Sequence, residues 1–261
     1  MKRSSEEHRQ EFQELGYTVF EGVLTQEEIE YGSPIFDEVI TLDSSPPVVV
    51  HDSSSRRQLS VEYCEPRLSQ FGGNPGVLEA VGMMMDGPFR LLSSPIPTIT
   101  FPGRAGGVRG RDWKGHVDWH RVAPREFWES YFNCFLHLTA VEPGGGAFTV
   151  VPGSHHLVRE NLSDPDVSER MFRQEFQDFP GLGSEMEVVV QAGGMIVWHP
   201  YLVHGPTDNQ HSMARKVLNI YFFPILDGEA EQRAKEGIPR KFHPDHLAGM
   251  DQDFKRLCGL A

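Results

Sequence analysis

The stretch Tyr131-Phe132-Asn133-Cys134-Phe135-Leu136-His137-Leu138-Thr139 alternates between two characters. Its even positions, Phe132, Cys134, Leu136 and Leu138, are wholly apolar. Its odd positions, Tyr131, Asn133, Phe135, His137 and Thr139, mix aromatic and polar groups. Successive side chains of a strand leave opposite faces. One face of this segment therefore suits a hydrophobic core, and the other suits water or a ligand cavity. The run Arg215 to Phe223 is built the same way, with Arg215, Val217, Asn219, Tyr221 and Phe223 on its odd face. Arg215 and Asn219 on one mixed face favour the cavity.

Outward from these two runs the period of two recurs. Candidate strands are 89–93, 96–101, 115–119, 131–140, 146–151, 186–190, 194–199, 202–205 and 215–223. That many strands, with helices mostly at the chain ends, predict a mainly β fold with flanking helices. The expected architecture is a double-stranded β-helix, a jelly-roll or cupin-like barrel whose core spans about 89–224. No internal repeat or linker divides the sequence, so residues 1–261 read as a single domain. Residues 5–15 read as an amphipathic helix stopped by Gly16, and Tyr17 to Phe20 as a short strand. Thr25 and Glu28 form a capping box for a helix that reaches Ile40, with a bend or break expected at Gly32-Ser33-Pro34. Residues 41–74 lack a period and read as loop with short strands. Asn74-Pro75 opens a helix to about Met85, and 227–237 and 245–257 look helical.

The composition excludes several classes of function. Hydrophobic residues are 39% and charged residues 23% of the chain, as in a soluble globular protein. A net charge of −13 argues against a nucleic-acid partner, because phosphate binding needs a cationic footprint. No apolar run approaches a membrane span. Residues 1–7 lack the apolar centre of a secretion signal, and the three cysteines show no C-x-x-C spacing. Reduced thiols in a cytoplasmic protein are the expectation. One basic stretch stands apart: Arg104, Arg109, Arg111 and Lys114 lie in a glycine-rich loop. It reads as a solvated loop or as a flap that draws an anionic small-molecule substrate.

Just after that loop comes Gly115-His116-Val117-Asp118-Trp119-His120. On a strand His116 and Asp118 leave the same face, giving a divalent metal two of the three ligands of a facial triad. His204 lies far enough along the chain to return on an antiparallel partner. His120 shares the 116/118 face and is a rival. His243-Pro244-Asp245 has the same spacing, but its proline disfavours a paired central strand. A two-histidine, one-aspartate set also suits a zinc-dependent hydrolase, and a non-catalytic barrel binding protein could use the same pocket.

Gly145-Gly146-Ala147-Phe148-Thr149-Val150-Val151-Pro152-Gly153-Ser154-His155 resembles the "NGA…PGSH" stretch of the phytanoyl-CoA dioxygenase family of Fe(II)/2-oxoglutarate oxygenases. His116-Val117-Asp118 is similar to that family's first ligand pair, and His204 to its distal histidine. Arg215 is similar to the arginine that binds the 2-oxoglutarate tail. Gly16 to Leu24 resembles the family's N-terminal strand. The chain departs from the pattern at Gly145-Gly146, often Asn-Gly, and at Gly193-Gly194, often Gly-Asp. The resemblance implies Fe(II), 2-oxoglutarate and O₂, with His116, Asp118 and His204 as the catalytic metal ligands. It implies Arg215 as a cosubstrate contact; Thr149 and Asn133 are candidates for further contacts to the cosubstrate, with ordinary strand positions as the alternative. The implied reaction converts 2-oxoglutarate to succinate and CO₂ and hydroxylates a C–H bond of a small organic molecule. Halogenating relatives carry a small residue where Asp118 stands, which favours hydroxylation. Trp119, His120, Tyr131, Trp198, His199 and Tyr221 are candidate pocket aromatics.

Overall fold

The computed structural model describes residues 3–41, 49–52, 56–59, 65–103, 115–118, 131–166, 169, 179–237 and 251–259. Trp119, His120, the basic loop at 104–114 and His243-Pro244-Asp245 lie outside the described residues. Helix α1 (Ser5–Leu15) begins with a capping box, in which Ser4 accepts from the Glu7 N–H and the Glu7 carboxylate accepts from the Ser4 N–H. It ends at Gly16 in the left-handed region, φ 83°, and strand β1 (Tyr17–Phe20) follows. The Thr25–Glu28 box starts α2 (Gln26–Ile40) in the same manner.

Pro34 does not break α2, contrary to the expectation from Gly32-Ser33-Pro34. The helix buries Ile29, Ile35, Phe36, Val39 and Ile40 along one face, and that burial offsets the roughly 3 kcal/mol that an interior proline costs. Gly32 serves packing: a Cβ there would lie 2.6 Å from the Phe71 ring. In the unpatterned 41–74 segment, β2 (Val49–Asp52) and β3 (Arg56–Leu59) pair as a hairpin. Helix α3 (Pro66–Ser69) and a 3₁₀ turn (Gln70–Gly73), both unforeseen, lead to α4 (Pro75–Met84). Asn74 caps α4 by accepting from the N–H groups of Gly76 and Val77.

The remaining strands are β4 (Phe89–Leu91), β5 (Ile96–Thr100), β6 (Phe132–His137), β7 (Phe148–Val150), β8 (Met186–Val188), β9 (Met195–Trp198), β10 (His204–Pro206) and β11 (Arg215–Pro224). They form two sheets, with every strand pair antiparallel. The larger has eight strands in the order β1-β9-β6-β11-β5-β3-β2, with β4 also on β11. The smaller is β10-β7-β8. Among the described residues no strand closes the two into a barrel. The expected strand at 115–119 is reduced to one bridge, His116 with His204. Helix α5 (Ser154–Asn161) was not legible from periodicity, and α6 (Gly228–Gly237) and α7 (Gln252–Leu257) follow the last strand.

The two faces of β6 part as their alternation requires. Cys134 and Leu136, with Leu218, Ile220 and Phe222 of β11, pack under α2 and α4 against Phe36, Val39, Val77 and Val81. Each such side chain, fully buried, is worth about 1.5–3 kcal/mol. The opposite face, with Phe135, Ile196, Trp198 and Val217, meets Phe148, Val150 and Val188 of the small sheet. No helix among the described residues is long and apolar enough to cross a membrane.

Buried histidines set the acid limit of this fold. Burial and Arg215 push His137 down to about 3 from an ordinary 6.5, and burial and His156 push His155 down to about 4. The unfolded chain takes up protons near pH 6.5 that the native chain refuses. Stability is therefore whole above that pH and falls as pH drops from 6.5 toward 4, by about 1.4 kcal/mol per pH unit for each group. Denaturant midpoints should decline over that window, and His155→Gln should flatten the decline. A wild-type midpoint that holds steady down to pH 5 contradicts this account.

Candidate metal centre

The backbones of His116 and His204 exchange hydrogen bonds, His116 N to His204 O at 2.7 Å and His204 N to His116 O at 2.9 Å. The Asp118 N–H donates to Pro200 O at 2.9 Å. These bonds tie the two ligand-bearing segments together, and the side chains follow. One ligand atom from each of His116, Asp118 and His204 lies within 4.8 Å of the others. His204 Nε2 is 3.4 Å and His116 Nε2 is 3.8 Å from Asp118 oxygens, longer than ordinary hydrogen bonds. The Leu202 carbonyl, 2.9 Å from His204 Nδ1, can only accept. That contact assigns the proton to Nδ1 and leaves the Nε2 lone pair facing the cluster. The His204 Nε2 lone pair, the His116 imidazole and the Asp118 carboxylate are a donor set that a divalent ion fits.

Two donors hold the carboxylate. Asn133 Nδ2 and Trp198 Nε1, the latter at 3.1 Å, both reach Asp118 Oδ2. Tyr131 in turn donates to Asn133 Oδ1. Asn133, expected as a cosubstrate contact, is placed here against Asp118, which its amide braces. Thr149 lies on the face of β7 opposite Phe148, with its hydroxyl toward Ala147 O and Thr207. It does not line the cavity, whereas Phe148 does.

That cavity, of about 370 Å³, runs between the sheets. The large sheet contributes Arg56, Gln58, Phe135, Trp198, Arg215, Asn219 and Tyr221, and the small sheet Phe148, Gly205 and Pro206; His116, Asp118 and His204 sit in its wall. Arg215 is buried, donates to Gly146 O at 2.6 Å and stands over the Phe135 ring. Gly146 sits at φ 72°, and a Cβ there would come within 2.8 Å of Thr100 Cγ2, so the position favours glycine. Burial and the nearby Arg56 push Arg215 down to about 9, which still leaves it charged at neutral pH.

Several buried polar atoms near Arg215 have no hydrogen-bond partner: its own Nε, both nitrogens of His137, the Thr98 and Thr100 hydroxyls and Asn219 Oδ1. Strand register gathers them on one face, with Thr100 opposite Arg215, and Thr98 and His137 both opposite Val217. Each orphan costs about 1–3 kcal/mol if left unmatched. A buried cation beside unmatched hydroxyl and ring N–H donors fits the tail of a dicarboxylate. Arg56 and Gln58 were not legible as site residues, because their segment carries no period and only the pairing of β3 with β5 brings them here.

The fold is shared with solved enzymes. The epimerase SnoN of nogalamycin biosynthesis, in complex with Fe³⁺, alpha ketoglutarate and nogalamycin RO, superposes with a TM-score of 0.65 at 18% identity, over 84% of this chain and 83% of that one. HygX from Streptomyces hygroscopicus, with nickel, 2-oxoglutarate and hygromycin B bound, gives 0.56 at 18% identity over 85% and 88%. AviO1 from Streptomyces viridochromogenes Tue57 gives 0.63 at 20% identity over 86% and 97%. Comparison with curated protein sequences gives no match. The phytanoyl-CoA dioxygenase family profile matches residues 12–217, which takes in both halves of the His116–Asp118–His204 cluster and Arg215. By that match over most of its length, the chain belongs to the phytanoyl-CoA dioxygenase (PhyH) family.

Proposed function

We propose that the chain is an Fe(II)- and 2-oxoglutarate-dependent oxygenase that hydroxylates a small organic substrate. The observation that carries this reading is one cavity holding the His116–Asp118–His204 cluster and a buried Arg215 among unmatched polar atoms. SnoN with Fe³⁺ and alpha ketoglutarate, and HygX with nickel and 2-oxoglutarate, support it from the same fold. The molecules bound in those two structures, nogalamycin RO and hygromycin B, support a small-molecule role.

His116, Asp118 and His204 would hold the iron. Bound there, it would supply O₂ activation coupled to oxidative decarboxylation of the keto acid. The balance is substrate C–H, 2-oxoglutarate and O₂ in, and C–OH, succinate and CO₂ out. Arg215 seats the distal carboxylate through its planar fork, which fixes the keto acid's direction in the cavity. Phe135, Phe148 and Trp198 wall the site with rings that exclude water. Asp118 fills the position that halogenation requires vacant, which favours hydroxylation.

Anaerobic addition of Fe(II) and then 2-oxoglutarate should produce a weak visible charge-transfer band, and air should then release succinate. No band, or a zinc-supported hydrolysis without succinate, contradicts the proposal. A hydroxylated product, set against an epimerised or cyclised one, tests the finer claim. Asn133→Ala should weaken metal binding by about 10–100-fold, because it frees the carboxylate to turn. Metal titration followed by tryptophan fluorescence measures this, and unchanged affinity would remove the bracing role.

A further inference from the structure

Two of the metal ligands take their orientation from a segment that holds no ligand itself. In residues 199–203, between β9 and β10, the Pro200 carbonyl accepts from the Asp118 N–H at 2.9 Å, and the Leu202 carbonyl accepts from His204 Nδ1 at 2.9 Å. The segment closes on itself through His199. The Leu202 N–H donates to His199 O at 2.9 Å, and the Tyr201 N–H to His199 Nδ1 at 3.0 Å. Its place is fixed from outside by the Pro152-Gly153-Ser154-His155 stretch. The Val203 N–H donates to Ser154 Oγ at 2.8 Å, and the Val203 carbonyl accepts from the Val151 N–H at 2.9 Å. Gly153, φ 75°, turns the chain so that Ser154 opens α5. The end of α1 holds the other side: the Gly153 N–H donates to Leu15 O at 2.9 Å, and the His199 N–H to Gly16 O at 2.8 Å. A Cβ at Gly16 would lie 2.6 Å from His155 Nδ1 and 2.9 Å from Leu202 Cδ1, so the three pieces are in close contact.

We propose that Ser154 is a positioning residue of the metal centre: its hydroxyl latches Val203, the residue before His204, and so fixes the two carbonyls that aim His204 and Asp118. The inference rests on the metal-centre reading and goes beyond it, since Ser154 is not among the residues that line the cavity. Ser154 and Val203 are both buried. An N–H left there by loss of the hydroxyl is out of reach of bulk water, and it regains a partner only if the segment moves. The Val151 bond still holds the carbonyl side of Val203, so the segment swings about that point and does not come away. The carbonyls of Leu202 and Pro200 swing with it. A turned imidazole offers its Nε2 lone pair off axis, which a metal ion meets with weaker binding and altered geometry.

The test titrates full-length protein with Co(II), whose visible bands report the arrangement of ligands around the ion. Affinity is followed by tryptophan fluorescence. Ser154→Ala should bind Co(II) about tenfold more weakly, the low end of the loss expected when an outer support of a metal ligand is removed. Its bands at saturating Co(II) should differ from those of the wild type. Ser154→Cys, close in shape but a weaker acceptor, should fall between the two, and it carries the test if Ser154→Ala does not fold. Val77→Ala, a cavity variant in the core under α4, should lose at least as much thermal stability and move neither readout. Three results overturn the proposal: Co(II) affinity in the Ser154 variants within about twofold of wild type, weaker binding with an unchanged spectrum at saturation, or the same changes in Val77→Ala. Wild-type protein that takes up no Co(II) would be a different failure, one of the metal centre itself, and the latch would fall with it.

Discussion

Asp118→Ala protein is expected to lose iron binding and, with it, succinate formation. Removal of an outer partner of a metal ligand costs about 10–100-fold in affinity, and removal of the ligand itself should cost more. The fold should survive. Asp118 is only partly buried, with 28% of its side chain exposed. Its loss strands the Asn133 amide and the Trp198 indole N–H. Those two orphans cost about 1–3 kcal/mol each, which a domain of ordinary stability can bear. Cooperative thermal unfolding together with absent iron uptake would separate a lost ligand from a lost structure. Wild-type iron affinity in Asp118→Ala would show that the two histidines alone, or other residues, hold the metal.

Arg215→Lys should raise the apparent KM for 2-oxoglutarate by about 10–100-fold, the equivalent of the 1.5–3 kcal/mol carried by a hydrogen bond to a charged group. Lysine keeps a positive charge but lacks the planar pair of parallel donors. Its ammonium would also stand in a buried place, beside a His137 that is neutral at ordinary pH and a second cation at Arg56. Arg215→Met, which removes the charge outright, should do worse. Because the distal carboxylate is bound alike in the ground and transition states, kcat at saturating 2-oxoglutarate should fall less than KM rises. A collapse of kcat with KM unchanged would place Arg215 in the chemistry and not in the seating of the keto acid.

What could be read from the residues alone is what depends on local period. The alternation in 131–139 and 215–223 assigned Cys134 and Leu136 to the core face and Arg215 and Asn219 to the cavity face, because strand side chains switch sides at every residue. The His116-x-Asp118 spacing put an imidazole and a carboxylate within reach of each other. Chain-wide consequences lay beyond that period. That His204, among the described histidines, meets that pair is decided by the bridge its backbone makes to His116. Thr149 misses the cavity by a single residue of parity, since Phe148 takes the inward place. Asn133 sits on the expected face, yet its amide is drawn to Asp118 by a segment distant in sequence. Arg56 entered the cavity wall from a stretch with no pattern, through the register of β3 on β5. A one-residue slip in such pairing turns every side chain to the other face. Strand partners and register are settled by contacts between distant segments, so the sequence by itself determined the faces and the ligand types, and only the tertiary structure decided which of them meet.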